Sequence, residues 1–170
     1  MGGKNGANKK EQLLEKLNRI CFREIIGIQN KIEADKNTLA EQADFTVEGA
    51  FSLFSASPIQ KLTPSDIEIA MQNLGLSCTT RDARLIVARY DTDSDSRIGF
   101  WEFANIFLPI DVQARTRLET RPTLANKEIS KETTRMIKRV LGSIVDAENM
   151  VEEIRRRVKQ LTESLRGIFD

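Results

Sequence analysis

Apolar positions divide the chain into two long helical stripes with a compact, differently patterned centre between them. From about Lys9 to about Leu39, the residues Leu14, Leu17, Cys21, Ile25, Ile28, Ile32 and Leu39 recur at steps of 3, 4, 4, 3, 4 and 7. Such steps return side chains to one face of a helix, so one amphipathic helix is predicted here, with a small register slip near Cys21. On the other flank Ile137, Val140, Ile144, Ala147, Val151, Ile154, Val158, Leu161, Leu165 and Ile168 alternate steps of three and four without a break. That pattern predicts a coiled-coil helix with Ser130 as an upstream N-cap. Placing 137, 144, 151, 158 and 165 at heptad position a puts β-branched residues at four of five, which favours a parallel pair if the partner is another copy or a similar helix. The chain's own first helix is the alternative partner. Met136, Leu141 and Met150 widen the stripe in its first half, which is therefore expected to pack against more than one surface.

The centre, from about Asp44 to Leu108, repeats itself with a period of 36. Phe51 matches Val87, Phe54 matches Tyr90, Leu62 matches Ile98, Asp66 matches Glu102, Ile67 matches Phe103, Ala70 matches Ile106 and Met71 matches Phe107. Each half reads as helix, polar loop of twelve, helix. Thr63-Pro64-Ser65-Asp66 supplies an N-cap hydroxyl, a proline at the first helical position and a carboxylate three residues on from the cap, and Gly75 closes that helix. Thr80 with Asp82 is expected to start the next. The expected shared core is Phe51, Phe54, Ile67, Met71, Tyr90, Phe103 and Phe107.

The second loop, Asp91-Thr92-Asp93-Ser94-Asp95-Ser96-Arg97-Ile98-Gly99-Phe100-Trp101-Glu102, carries the chemistry. Carboxylates at positions 1, 3, 5 and 12 of a turn between helices can close around one hard cation, because Ca²⁺ takes six to eight oxygens at about 2.3–2.6 Å. Asp91, Asp93 and Asp95 would each give one oxygen, Arg97 its backbone carbonyl, and Glu102 two; a water fits beside Gly99. Ile98 is expected to pair through its backbone with Leu62 of the first loop.

With these residues in view, the segment from about 44 to 108 resembles a paired EF-hand lobe of the calmodulin and centrin type. Ala50-Phe51-Ser52-Leu53-Phe54 resembles the first helix of such lobes. The resemblance implies one Ca²⁺ in the second loop. Position 6 in that family is normally glycine with positive φ, and here it is Ser96. A non-glycine residue in that conformation costs roughly 1–2 kcal/mol, so affinity is expected at about micromolar or weaker. The first loop, Ser55 to Asp66, has no acid at positions 1, 3 or 5, Pro58 at position 4, Ile59 at a ligand position and a shorter acid at position 12. It is expected to bind no calcium and to support the second loop structurally.

Composition narrows the function. Lys and Arg total 26 against 25 Asp and Glu, a formal charge of +1, so no global field directs the chain to nucleic acid or an anionic membrane. There is no histidine, which removes histidine general bases, the Ser/His and Cys/His nucleophile pairs and imidazole zinc sites. No catalytic residue and no catalytic activity are expected. Cys21 and Cys78 stand alone, suiting a reducing compartment, and are expected to be small apolar core residues. No run is long and apolar enough to span a bilayer, and Met1 to Gly6 has no signal core. Gly2 invites myristoylation, but Gly6 stands where that pattern wants Ser or Thr; a disordered glycine-rich tail is the plainer reading. Arg155-Arg156-Arg157 lies beside Glu152, Glu153 and Glu163, the composition of a solvated coiled-coil face. Trp101, at loop position 11, is expected to be partly buried against a neighbouring helix, with a partner contact at the rim of the lobe as the alternative.

The domain reading is a tail over 1–8, an amphipathic helix over 9–43, the EF-hand pair over 44–110, a linker over 111–125 and a heptad helix over 126–170. The fold class is all-α. The lobe holds one methionine, Met71, so its groove suits one fixed helical partner, either a flanking helix folded back or a helix of another protein. Phe107-Leu108-Pro109-Ile110-Asp111 followed by Arg121-Pro122 resembles the tail after EF-hand pairs in ciliary and other cytoskeletal proteins, which implies a cytoplasmic, cytoskeletal location. The expected function is a calcium-binding interaction or scaffold subunit that binds a helical partner, with homo- or hetero-oligomerisation open and neither nucleic-acid binding nor membrane insertion. The alternatives are a calcium-independent assembly protein with a fixed lobe and a calcium-sensing regulatory subunit of an enzyme.

Overall fold

The computed structural model describes residues 3–55, 57, 59–122 and 129–169, with side chains for these apart from 3–10, 14 and 165–169. Among the described residues, seven helices follow one another: α1 Gly3–Ala40, α2 Val47–Ser52, α3 Pro64–Asn73, α4 Thr80–Tyr90, α5 Phe100–Phe107, α6 Val112–Glu119 and α7 Lys131–Phe169. The fold is all-α. Extended pairing among the described residues is confined to one isolated antiparallel bridge, Leu62 to Ile98.

Local chemistry starts and stops the short helices. The Thr63 hydroxyl accepts from Asp66 N and the Asp66 carboxylate accepts from Thr63 N, with Pro64 at the first helical position. The same reciprocal box starts α4, which begins at Thr80 as expected from sequence, with Thr79 as its cap. Gly75 ends α3 at φ +78, with Gly75 N donating to Gln72 O at 2.8 Å and Leu76 N to Met71 O at 2.9 Å. Those two bonds are a Schellman closure, which needs the left-handed conformation glycine adopts without strain.

The lobe formed by α2 to α5 packs around a ladder of rings. Phe51 meets Phe103 edge-on at 5.0 Å, Phe54 meets Phe103 at 5.0 Å, and Phe103 leads on to Phe107 at 5.3 Å and from there to Phe45 at 5.8 Å. Of the expected core, Phe51, Ile67, Met71, Phe103 and Phe107 are buried, while Phe54 and Tyr90 sit partly buried at its edge. Cys78 is buried and Cys21 half-buried.

The two long helices pair with each other, and they run antiparallel. Asp44, just past α1, accepts from Ser130 N at 2.7 Å and Thr133 Oγ1 at 2.5 Å at the start of α7. Further back along α1, Asp35 meets Arg139 at 2.8 Å and Ser143 at 3.3 Å; further back still, Gln29 shares Arg89 with Glu148. The parallel pairing expected for a second copy is therefore not the pairing inside the chain. The lobe returns the chain to where α1 ended, so α7 must retrace α1 in the opposite direction. Arg121 fastens this corner, donating to the carbonyls of Ala40, Gln42 and Phe45 at 2.9, 2.6 and 2.7 Å. It satisfies acceptors that a helix end leaves without partners.

The widened first half of α7 does touch two surfaces. Ile137, Val140, Leu141, Ile144 and Ala147 are buried in one cluster with Ile32 and Leu39 of α1 and with the lobe residues Ile86 and Val87. Beyond the lobe, the outer arms are less covered: Leu17, Cys21, Ile25, Val151, Ile154 and Val158 are half-buried, and Leu13, Ile20, Phe22, Ile26 and Leu161 are exposed. Arg155, Arg156 and Arg157 are exposed and ion-paired along their own helix to Glu152 and Glu153. No described helix is long and apolar enough to cross a membrane.

Two boundaries differ from the sequence reading. Helix α1 begins at Gly3, inside the segment read as a tail over 1–8. The segment read as a linker over 111–125 contains α6, capped by Asp111 accepting from Ala114 N at 2.8 Å and buried through Ala114 and Leu118. Residues 123–125 of that linker, the 126–128 start of the heptad segment, Gly2, and the side chains of Leu14, Leu165 and Ile168 lie outside the described residues.

Candidate metal site

The bridge between the two loops sets the site. Leu62 N donates to Ile98 O at 2.8 Å and Ile98 N to Leu62 O at 2.9 Å, and both side chains are fully buried. The second loop is thus anchored at position 8 from below while Asp91 to Arg97 wind above it.

That winding gathers three of the expected ligands. Asp91, Asp93 and Asp95 each place a carboxylate oxygen within 4.8 Å of the others'. Backbone N–H groups hold them there. Asp91 accepts from Ser96 N at 2.8 Å and Asp95 N at 3.3 Å, Asp93 accepts from Asp95 N at 3.3 Å, and Asp95 accepts from Arg97 N at 2.9 Å. These turns demand positive φ at two residues, Ser94 at 61° and Ser96 at 62°. The strain expected at Ser96 is present, and Ser94 adds a second position the sequence did not flag.

Glu102 is placed differently. It is 8% exposed and spans the mouth of the loop, with Oε1 accepting from Thr92 N at 2.7 Å and Thr92 Oγ1 at 2.8 Å, and Oε2 from Gly99 N at 2.8 Å. Burial is the largest influence and pushes its pKa up, but the N–H groups of Gly99 and Thr92 and the Thr92 hydroxyl outweigh it and hold the carboxyl below its ordinary value. The structure therefore brings the three aspartates together and keeps Glu102 out of their cluster, bound to the backbone of its own loop. Arg97 is exposed in the loop.

A residue from the other loop faces the aspartates. Lys61 Nζ lies 2.6 Å from Asp93 Oδ2 and 2.5 Å from Asp95 Oδ2. The bonds to Asp93 and then Asp95 raise the lysine pKa above its ordinary value, and the bond from Lys61 is the main cause that lowers Asp93. Lys61 was not among the residues expected from sequence. Its only signal was its position directly before Leu62, which the repeat pairs with Ile98.

Trp101 is 78% exposed, which corrects the expected partial burial. On α5 the inward face is Phe103, Ala104 and Phe107, and Trp101 shares the outward face with exposed Asn105, four residues on. Its ring stands against Phe100 at 5.3 Å, beside the loop.

The donor set is oxygen only, as a hard cation requires, and the three clustered carboxylates fit Ca²⁺. Asp91, Asp93 and Asp95 would hold the ion directly. Glu102 would join only by exchanging its present bonds.

No protein-family model matches the chain, and no solved structure matches it significantly. A curated calcium-binding protein does. The chain is 33% identical over 64 residues to "Calcium-binding protein CML38" of Arabidopsis thaliana, across 38% of this chain and 36% of that protein. The chain thus matches little more than a third of that relative's length. This distant partial relative is a calcium-binding protein.

Proposed function

We propose that the chain binds one Ca²⁺ in the loop 91–102 and acts as a scaffold subunit whose paired long helices engage a helical protein partner in a cytoskeletal or ciliary assembly. The observation that carries the calcium half is the convergence of three aspartate carboxylates in a loop fastened from below by the Leu62–Ile98 bridge. The partly covered outer arms support the partner half, because Phe22, Ile26 and Leu161 leave apolar surface on helices that already pair. The location rests on the resemblance of Phe107 to Asp111, with Arg121 and Pro122, to the tails of cytoskeletal proteins. Bound in the loop, the ion would supply a fixed double positive charge; the chain's own residues orient the carboxylates and shield the base of the loop from water.

Terbium tests the calcium half. Exposed Trp101 at loop position 11 should sensitise Tb³⁺ emission, and added Ca²⁺ should quench it; no emission, or emission that survives Asp91→Asn with Asp93→Asn, contradicts the assignment. Co-sedimentation with a detergent-insoluble cytoskeleton tests the partner half: Phe22→Glu with Ile26→Glu should abolish it, and an unchanged pellet contradicts the arm assignment.

A second reading has an observation in its favour. The apolar face of the lobe is already covered by α7 and α1 through Ile137, Val140, Leu141, Ile144 and Ile32. In that reading the lobe is a fixed architectural element that calcium does not open. Apolar-dye binding tests it: silence on adding Ca²⁺ supports the static element, and a large rise contradicts it by showing that calcium opens the lobe.

A further inference from the structure

We propose that Lys61 is a built-in competitor for the metal site, an ammonium supplied by the first loop that sets the calcium threshold of the second. The inference rests on the calcium reading of loop 91–102 and adds its regulation.

Three observations carry it. Lys61 Nζ bonds Asp93 Oδ2 and Asp95 Oδ2 together, at 2.6 and 2.5 Å, so one tethered cation links two of the three clustered carboxylates. The reach is fixed by the backbone: the next residue, Leu62, exchanges both bonds with Ile98, three residues on from Asp95. The stem then passes over Gly99, where a Cβ would stand 3.7 Å from Lys61 Cε and 4.0 Å from Cγ, in ordinary contact. The lysine is thus delivered by the same bridge that couples the loops. It is no passing surface contact.

A divalent cation entering among the aspartates needs the oxygens that Lys61 holds. Two positive charges cannot share them at close range, so the ammonium must leave as the metal arrives, and the bonds it gives up are subtracted from the binding free energy. Because the pairs are solvent-exposed, each contributes modestly, and their loss corresponds to roughly three- to ten-fold in affinity. The first loop, which has no ligand acids of its own, thereby acts on the second loop's occupancy through its position 7. Monovalent cations gain less than Ca²⁺ from the three carboxylates and are the more strongly excluded by the resident ammonium.

Calorimetric titration of the full chain and of Lys61→Met with CaCl₂ tests this, together with mass-spectrometric labelling of Lys61 by an amine-reactive ester with and without Ca²⁺. The proposal expects Lys61→Met to bind about three- to ten-fold more tightly, and Lys61 in the native chain to label faster when Ca²⁺ is added. Equal affinities with unchanged labelling overturn the lysine's role while leaving the calcium site standing. No binding heat from either protein overturns both. Weaker binding by Lys61→Met also overturns it, because that outcome makes the lysine a support of the loop.

Discussion

The two loops of the lobe share one architecture and divide its work. Both end in an acid at position 12 that accepts from the N–H at position 9: Asp66 from Thr63, and Glu102 from Gly99. In the first loop position 9 carries a hydroxyl that returns the bond to Asp66 N, and the shorter acid is spent on its own helix start. In the second loop position 9 is glycine and cannot return it. The longer Glu102 reaches instead to Thr92 at the opposite end of the loop. The first loop is a helix cap with a lysine attached; the second is a closed turn that gathers three carboxylates, two of them held by that lysine. The absence of acids at positions 1, 3 and 5 of the first loop, together with the shorter acid and the hydroxyl at its end, separates an anchor from a candidate metal loop.

The loops depend on what they share, and cutting it should have the largest effect. Leu62→Ala removes a fully buried side chain from the bridge and should cost about 3 kcal/mol of stability, read as a lower urea midpoint. Metal affinity should fall in the same variant, since the bridge anchors the second loop; unchanged affinity would mean the loops are independent. Next come the two position-12 acids. Glu102→Ala should cost about 2–3 kcal/mol, because it leaves several N–H groups without a charged acceptor, while Asp66→Ala should cost about 1 kcal/mol as a lost cap partner. Equal costs would erase the distinction between them.

Acid sharpens the comparison further. Glu102 is held below its ordinary value of 4.5, and Asp44, which ties the end of α1 to the start of α7, is lowered from 3.8 to about 2: burial pushes Asp44 up, but bonds from Thr133 and Ser130 outweigh it. A depressed carboxyl contributes stability that is fully present above its unfolded value and is lost as pH falls through the folded one. Stability should therefore hold above about pH 5 and fall progressively towards pH 2. Asp44→Asn should flatten the lower part of that decline, and an unaltered urea-midpoint profile would contradict the assignment. The smallest effect is at Ser96. Glycine there relieves a left-handed residue but adds freedom to the unfolded chain, so Ser96→Gly should stabilise by roughly 0.5–1 kcal/mol in thermal unfolding.

What the sequence made legible was local or periodic. The stripes at Ile137 to Val158 record a face, the Thr63–Asp66 box lies within four residues, and the repeat that aligns Leu62 with Ile98 correctly anticipates their bridge. What it concealed depends on partners distant in the chain or on backbone groups. Heptad positions name a face of α7 without naming a direction, and the return path through the lobe chose antiparallel. Glu102 is satisfied largely by N–H groups, which every residue carries. Lys61 meets acids 32 and 34 positions away, and only its place directly before Leu62 hinted at that. Helix α6 was readable in principle from Ala114 and Leu118, four apart on one face, inside the segment read as a linker over 111–125.

Calcium binding in the second loop is tested by calorimetric titration of the full chain beside Asp91→Asn with Asp93→Asn. The native protein should bind one ion per chain and the variant none. Two ions per chain, or binding that survives the double substitution, would contradict it.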